Sequence, residues 1–153
     1  MLVRQLDGTD RQPPLAALDP DGRYAIASAF KLYILAELDR AVRAGERRWS
    51  DVVALGPKSH PSGISQNWPD RSPVTLHTLA TLMISISDNS ATDTLIRELG
   101  QDRLAAIVKA AGHNQPDELR PFLMTRQVSA LKMPVHTTRR DAFLKASPDE
   151  RET

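Results

Sequence analysis

A serine and a lysine stand three residues apart at Ser28 and Lys31, at the head of a long apolar segment. Residues at i and i+3 share a helix face, so we expect the Lys31 amine to lie beside the Ser28 hydroxyl. The helix predicted over 25–44 is apolar on nearly every side, which predicts burial of the helix and of Lys31. Burial favours the neutral amine of a lysine, and such a base activates a serine hydroxyl as a nucleophile.

Ser28 is also predicted to cap this helix, because a serine oxygen accepts a hydrogen bond from a free N–H group of the first turn. The other free N–H groups of a first turn attract anions. We therefore expect the same segment to supply part of an oxyanion hole.

A Ser-x-x-Lys spacing is a weak signal by itself. With 11 serines and 5 lysines in the chain, chance produces one match in about every third such chain. A second match at Ser129 and Lys132 is interpreted as the face of a helix. The match at Ser28 differs because Ser87-Asp88-Asn89 follows 59 residues later, directly after a predicted apolar helix. The alternative interpretation of this triplet is a simple helix-breaking turn.

The whole chain has the length and composition of one globular domain, with 153 residues, 41% hydrophobic and 25% charged. Its net charge of +1 gives no reason to expect nucleic acid or an anionic membrane as a partner. The absence of cysteine excludes disulfides, and the four histidines are too scattered to predict a metal site. No apolar run reaches the length of a membrane span, and the compartment stays undetermined.

Hydrophobic periodicity and turn residues predict a mainly helical chain. Gly45 is expected to end the first helix, and Asp102, Thr125 and Ser147 are expected to cap later ones. The loop over 56–73 is long enough to wall a pocket, although a plain connection is the simpler interpretation. Short strands are predicted over 1–6, 15–18 and 51–55, helices over 25–44, 75–86, 91–99, 103–111, 125–132 and 141–146, and extended chain or loop over 134–140.

Together these motifs resemble the class A-type serine β-lactamases of the penicillin-binding serine hydrolase superfamily. The resemblance rests on Ser28-Ala29-Phe30-Lys31-Leu32 and Ser87-Asp88-Asn89-Ser90-Ala91, in that order and at a similar spacing. It implies that residues 1–153 are one partial domain, mainly α. This domain is the helical part of the α/β serine β-lactamase fold, with most of the antiparallel sheet missing.

The resemblance also implies a role for each matching residue. Ser28 would be acylated by a β-lactam or a related amide or ester, and the acyl-enzyme would then be hydrolysed. Lys31 would assist deprotonation of Ser28, and Ser87 would relay a proton to the leaving nitrogen. Asn89 would bind the substrate amide, and Asp88 would hold the loop. No cofactor is implied, and the partner would be a small molecule bound by a monomer.

The chain departs from the pattern of this family in several ways. No Lys-Thr-Gly follows Ser87, and the strand that carries this motif also supplies the second oxyanion N–H group. No residue clearly matches the deacylating glutamate, since Glu118 lies too close to Ser87. The segment 121–126 looks more like divergent β-lactamase-like hydrolases than antibiotic-resistance enzymes. The first strands are incomplete, and the capping box at Ser147 has almost no helix behind it. We therefore expect a truncated chain with weak activity.

Two other functions remain open at this stage. One is a non-catalytic remnant that keeps the fold without the chemistry. The other is DNA binding, because residues 76–99 form two predicted helices around a short polar turn, as in a helix-turn-helix. Arg97 is the only cation of the second of these helices, which weighs against DNA binding.

Overall fold

The computed structural model describes residues 2–3, 14–19, 22 and 24–152. The described chain is mostly helical, as predicted, and its sheet is confined to short paired strands. Its helices are α1 (Lys31–Arg43), α2 (Leu76–Ser85), α3 (Asn89–Leu99), α4 (Gln101–Ala110), α5 (Thr125–Lys132), α6 (Thr137–Lys145) and α7 (Pro148–Arg151). Its 3₁₀ turns are Ala27–Phe30, Ser65–Asn67, Pro116–Leu119 and Pro134–His136.

Four short strands form two antiparallel pairs in the described residues. The first pair joins β1 (Leu2–Val3) to β2 (Ala16–Ala17). The second joins β3 (Val52–Ala54) to β4 (Pro73–Thr75), with Val53 opposite Val74. The strand predicted over 1–6 lies outside the described residues except at β1. The sequence pattern does not predict β4, because a strand of three residues that begins with proline is too short to show an alternation of apolar and polar side chains.

The C-terminal end of α1 follows the sequence prediction closely. Gly45 has a φ of 73°, in the left-handed region that favours glycine. Its N–H donates to Val42 O at 3.0 Å, and the N–H of Glu46 donates to Ala41 O at 2.9 Å. This pair of bonds is the Schellman motif, which satisfies carbonyl groups that the helix itself leaves free.

The hydrophobic core lies where α1 packs against α3 and α4 and where α2 packs against α3. Burial of apolar area at about 25 cal/mol per Å² drives this packing. Thr75 is the N-cap residue of α2, and its hydroxyl accepts a hydrogen bond from the N–H of Thr78. The fully buried apolar side chains at the centre are Ile34, Leu38, Leu79, Leu95, Ile96, Leu104 and Val108.

One prediction for α1 is wrong: the helix is not buried on all sides. Ala29, Leu32 and Ala36 lie exposed along one face, and Leu32 keeps 59% of its surface accessible. Tyr24 and Ile26 are also exposed just before this helix. We call these five residues the open stripe. A helix with apolar residues on every side is able to bury any of its faces. The elements that pack against it determine which faces are buried.

Several local predictions also need correction. Asp102 lies inside the first turn of α4, because α4 follows α3 directly at Gly100. Met124, and not Thr125, is the N-cap residue of α5. Residues 134–140 are helical instead of extended, since the 3₁₀ turn after Pro134 continues into α6. The capping box at Ser147 is present at the start of α7, as predicted.

The helix pair α2 and α3 does not have the geometry of a DNA-reading motif. Such a motif needs an exposed second helix that enters a groove. Most residues of α3 are buried, including every position from Ser90 to Ile96. Within the described residues, no helix is long and apolar enough to cross a membrane, and no group of side chains is arranged to hold a metal ion.

Candidate active site

The structure brings Ser28, Lys31, Ser87 and Asn89 together, although the two motifs are 59 residues apart in sequence. The Lys31 ammonium donates three hydrogen bonds, to Ser87 O at 2.7 Å, to Ser87 Oγ at 2.9 Å and to Asn89 Oδ1 at 2.9 Å. The Ser87 hydroxyl in turn donates to Ser28 Oγ at 2.8 Å. A continuous path of hydrogen bonds therefore joins the Lys31 amine to the Ser28 hydroxyl through Ser87.

Ser28 lies in the 3₁₀ turn Ala27–Phe30 and does not cap α1. The prediction of a serine cap is wrong because the Ser28 oxygen accepts its hydrogen bond from Ser87, across the site, and the turn has no side-chain cap. Lys31 is the first residue of α1, and Ser28 is exposed at the surface. Ala27 has a φ of 44°, an unfavourable value for alanine, and such strained positions concentrate at functional sites.

Lys31 is buried as predicted, with 2% of its surface accessible. Desolvation by burial lowers the pKa of Lys31 below its ordinary value, while the nearby charges of Asp88 and Asp93 partly oppose that shift by raising it. The neutral amine of Lys31 therefore forms more readily than that of a solvated lysine. All three donors of the charged form are also satisfied.

Ser87 reaches this position because the chain turns sharply between α2 and α3. Its φ of 57° is in the left-handed region, which is uncommon for serine. The turn directs both polar groups of Ser87 into the site, so that its carbonyl accepts from Lys31 Nζ and from Ser62 Oγ at 2.9 Å. The two interpretations of Ser87-Asp88-Asn89 are therefore compatible. The triplet lies at the turn between α2 and α3, and this turn places the Ser87 hydroxyl in the candidate site.

Asp88 is the N-cap residue of α3 and is fully buried. Its carboxylate accepts hydrogen bonds from the N–H groups of Ile64, Ser65 and Ala91, each at 2.9 Å, and from Ser65 Oγ at 2.6 Å. Burial alone would raise the pKa of Asp88, but the bonds from Ser65, Ala91 and Ile64 outweigh it and leave the pKa below its usual value. Gly63 makes this close approach possible, because a Cβ at that position would collide with the Asp88 carboxylate.

The loop over 56–73 forms one wall of the site, and we call it the wall loop. Ser62 O accepts from the N–H of Asn89 at 3.0 Å, and Pro61 O accepts from the side-chain amide of Asn89. Both ends of the Asn89 side chain are therefore held, one by Lys31 and one by this loop. These contacts favour the interpretation of this loop as a wall of the site over its interpretation as a plain connection.

Three buried polar residues beside the site were missed by sequence analysis: Ser59, Asp93 and Thr125. Asp93 stands four residues after Asn89, within a stretch of α3 that is buried throughout. The sequence offered one signal for Asp93, which is a carboxylate among residues at core positions of a helix. A charge is rarely buried without partners, so such a carboxylate indicates a buried polar contact.

Other candidate features lie elsewhere in the fold. Glu118 is in the 3₁₀ turn Pro116–Leu119, which packs against α4 and α7. Ser129 and Lys132 lie on α5, as predicted. A surface pocket of about 550 Å³ is lined by residues of α4, α5, α7 and the segment 120–122, and none of the four site residues takes part in it.

The solved structures that resemble this chain include a β-lactamase and two forms of PBP-A. A β-lactamase from Sphaerobacter thermophilus DSM 20745 is 37% identical, with a TM-score of 0.57, over 60% of this chain and 36% of its own. A PBP-A mutant in an acyl-enzyme complex with penicillin-G is 28% identical, with a TM-score of 0.54, over 60% and 39%. PBP-A itself is 24% identical, with a TM-score of 0.55, over 74% and 50%, and at that identity it supports the fold alone.

The chain thus spans half or less of the length of each of these structures. A comparison with curated proteins produced no match. The family model described as the β-lactamase enzyme family matches residues 1–150. On this match, which covers nearly the whole sequence, and on the similarity to the β-lactamase from Sphaerobacter, the chain belongs to the β-lactamase enzyme family.

Proposed function

We propose that this chain is a serine hydrolase of the β-lactamase type, which a β-lactam or a related amide or ester acylates at Ser28. The observation that carries the proposal is the path of hydrogen bonds from Lys31 Nζ through Ser87 Oγ to Ser28 Oγ. A serine needs an adjacent base to become a nucleophile, and this path connects it to one. Residues 1–153 would form part of one such domain and act as a monomer on a small molecule.

In the acylation step, Ser28 Oγ forms a bond to the substrate carbonyl carbon. Its proton passes to the Ser87 hydroxyl, which gives its own proton to the neutral amine of Lys31. When the carbon–nitrogen bond breaks, the ammonium of Lys31 returns a proton to the Ser87 oxygen, and the Ser87 hydroxyl gives its own proton to the leaving nitrogen. The product is an ester at Ser28, and attack by water releases the acid and restores the hydroxyl.

The remaining site residues would bind and position the substrate. Asn89 lies beside Ser87, and its side-chain amide, now held by Pro61, would turn to the substrate amide. Asp88 would keep the loop over 61–65 in place, since it bonds Ile64 and Ser65 directly. One similar structure contains penicillin-G bound as an acyl-enzyme, which supports this substrate class for the present chain.

We further infer that the 153-residue chain by itself turns over substrate weakly. An oxyanion hole commonly uses two donors, and loss of one costs about 10²–10³ in rate. Exposure of Ser28 and of Leu32 in the open stripe leaves the nucleophile side of the site in water, where electrostatic stabilisation is weak. The same exposure favours the alternative that the chain is a non-catalytic remnant. Detection of an acyl group on Ser28 distinguishes a weakly active enzyme from such a remnant.

The test is covalent labelling of the 153-residue chain with a fluorescent penicillin, followed by mass spectrometry of the labelled peptide. We expect one label at Ser28 and none in Ser28→Ala. Ser129→Ala is the matched control, because Ser129 begins the other Ser-x-x-Lys spacing, and it should label normally. Labelling that persists in Ser28→Ala contradicts the assignment, and an unlabelled wild-type chain supports the remnant.

A further inference from the structure

Asp93 is a buried carboxylate that holds the start of α5 against α3. It is fully inaccessible to solvent. Its Oδ1 accepts from the N–H of Thr125 at 2.6 Å and from Thr125 Oγ1 at 2.7 Å. Its Oδ2 accepts from the N–H of Arg126 at 3.1 Å. The carboxylate thus satisfies free N–H groups at the N-terminus of α5, a helix whose own N-cap residue, Met124, has an apolar side chain.

The segment that Asp93 holds touches the candidate site at three points. Thr125 Oγ1 lies 2.8 Å from Ser59 Oγ on the wall loop and 3.4 Å from Asn89 O. Phe122, which is buried, packs against Phe30 with the ring centroids 6.1 Å apart. Phe30 ends the turn that carries Ser28. Movement of the chain at Thr125 would therefore reach Asn89, the wall loop and the turn that carries the nucleophile.

Asp93 also contributes charge to the site. With Asp88, it is one of two carboxylates whose charge acts on Lys31. The other ionisable groups on the faces of the helices packed against α1 are solvent-exposed or partly so. They are His77 on α2, Arg97 and Glu98 on α3, and Asp102, Arg103 and Lys109 on α4. Buried charges interact more strongly than exposed ones, and Glu37, the remaining buried carboxylate of the described residues, is paired with Arg40 at 2.8 Å. Asp88 and Asp93 therefore dominate the field at Lys31.

We propose that Asp93 is a positioning residue of this site, which fixes the chain at Thr125 and Arg126 beside Asn89 and supplies a negative charge near Lys31. A carboxylate suits both tasks, since it accepts from all three donors and carries the charge. Asparagine would meet Arg126 N–H with a donor of its own and would carry no charge. The effect of Asp93 on acylation rests on the proposed function, but its effects on structure and on Lys31 do not.

The first experiment measures the protonation of Lys31 directly, by NMR titration of its ¹³Cε signal in the 153-residue chain. In Asp93→Asn the midpoint should move to lower pH, because loss of a negative charge destabilises the ammonium form. Asp102→Asn is the matched control, since Asp102 is exposed in the first turn of α4, and its midpoint should equal that of the wild type. A folded Asp93→Asn with an unchanged midpoint overturns the electrostatic part of the proposal.

The second experiment measures amide hydrogen exchange in the wild-type chain. The N–H groups of Thr125 and Arg126 should exchange about tenfold or more slowly than those of Gln101 and Asp102, which begin α4 without a side-chain cap. Equal exchange rates at the two helix starts overturn the positioning part. If Asp93→Asn does not fold, Asp93→Ser removes the charge with a smaller side chain and serves in the titration.

Neither measurement uses a substrate. Absence of labelling at Ser28 would therefore contradict the proposed function, whereas the titration of Lys31 and the hydrogen exchange at Thr125 and Arg126 would still test the role of Asp93. If Ser28 is labelled, the lower limb of its pH–rate profile should shift to lower pH in Asp93→Asn and stay in place in Asp102→Asn. A residue that only stabilised the fold would change the amount of active protein and leave the position of that limb unchanged.

Discussion

The two sides of the candidate site differ in how the chain supports them. On the buried side, which Lys31 at the start of α1 forms together with Asp88 and Asp93 of α3 and its N-cap, each of these three residues makes three or more hydrogen bonds within the described residues. On the exposed side, Ser28 lies in the 3₁₀ turn before α1 and accepts one described bond, from Ser87. The open stripe continues this exposed side along α1.

This difference separates two requirements of a serine hydrolase. The proposed base Lys31, the proposed relay Ser87 and the buried Asp88 are positioned by contacts inside the chain, so their geometry depends on the helical core. Ser28, the proposed nucleophile, lies at the border of that core, where apolar surface such as Leu32 faces water. We therefore expect substitutions on the buried side to change both stability and chemistry, and substitutions along the open stripe to change neither by much.

The largest expected effect on chemistry is that of Lys31→Arg. Arginine keeps a positive charge but does not give up its proton, so it cannot serve as the base. Labelling of Ser28 by a fluorescent penicillin should slow by about 10²–10⁴, the usual contribution of general base catalysis. Lys132→Arg, in the second Ser-x-x-Lys spacing on α5, should label at the wild-type rate. Fast labelling of Lys31→Arg would show that positive charge alone is sufficient.

Removal of the Asp88 carboxylate should have the largest effect on stability. Asp88→Ala leaves the donors of Ile64, Ser65 and Ala91 without their acceptor. The free energy of unfolding in urea, followed by circular dichroism, should fall by about 3–5 kcal/mol. Asp102→Ala provides the exposed control and should stay within about 0.5 kcal/mol. A loss below about 1 kcal/mol for Asp88→Ala would mean that water replaces its bonds.

Two leucines on one helix test the contrast between the buried and open faces of α1. Leu38 is fully buried, whereas Leu32 is 59% exposed. Leu38→Ala should lower the free energy of unfolding by about 2–5 kcal/mol through lost burial and the cavity left behind. Leu32→Ala should change it by less than about 0.5 kcal/mol. Equal losses for the two variants in thermal denaturation would show that another surface covers the open stripe in solution.

The smallest expected effect is a shift in pH dependence. The neutral amine of Lys31 is the proposed base, so labelling should accelerate as pH rises through the Lys31 pKa, which desolvation holds below its ordinary value. The rate of labelling, measured between about pH 6 and 10, should therefore reach its midpoint below that of a solvated lysine. A rate that does not vary with pH would mean that Lys31 keeps its proton throughout the reaction.

Much of the local structure could be predicted from the sequence. The helical pattern, Gly45 at the end of α1, the turn at Ser87 and the capping box at Ser147 all depend on neighbours within a few residues. The pairing of two motifs also indicated the family, which the match over residues 1–150 bears out. The predicted caps at Ser28 and Thr125 were wrong because each hydroxyl finds a partner from a distant part of the chain.

By itself, the sequence determined which chemical groups are available and how far apart they stand along the chain. The hydroxyl of Ser28, the amine of Lys31 and the triplet at Ser87 were all visible as residue types at a fixed spacing. Only the tertiary structure decided that Ser87 stands between the other two and that Asp93 holds α5. Hydrogen bonds between residues 30 to 60 positions apart depend on how helices pack, and packing depends on burial summed over the whole core.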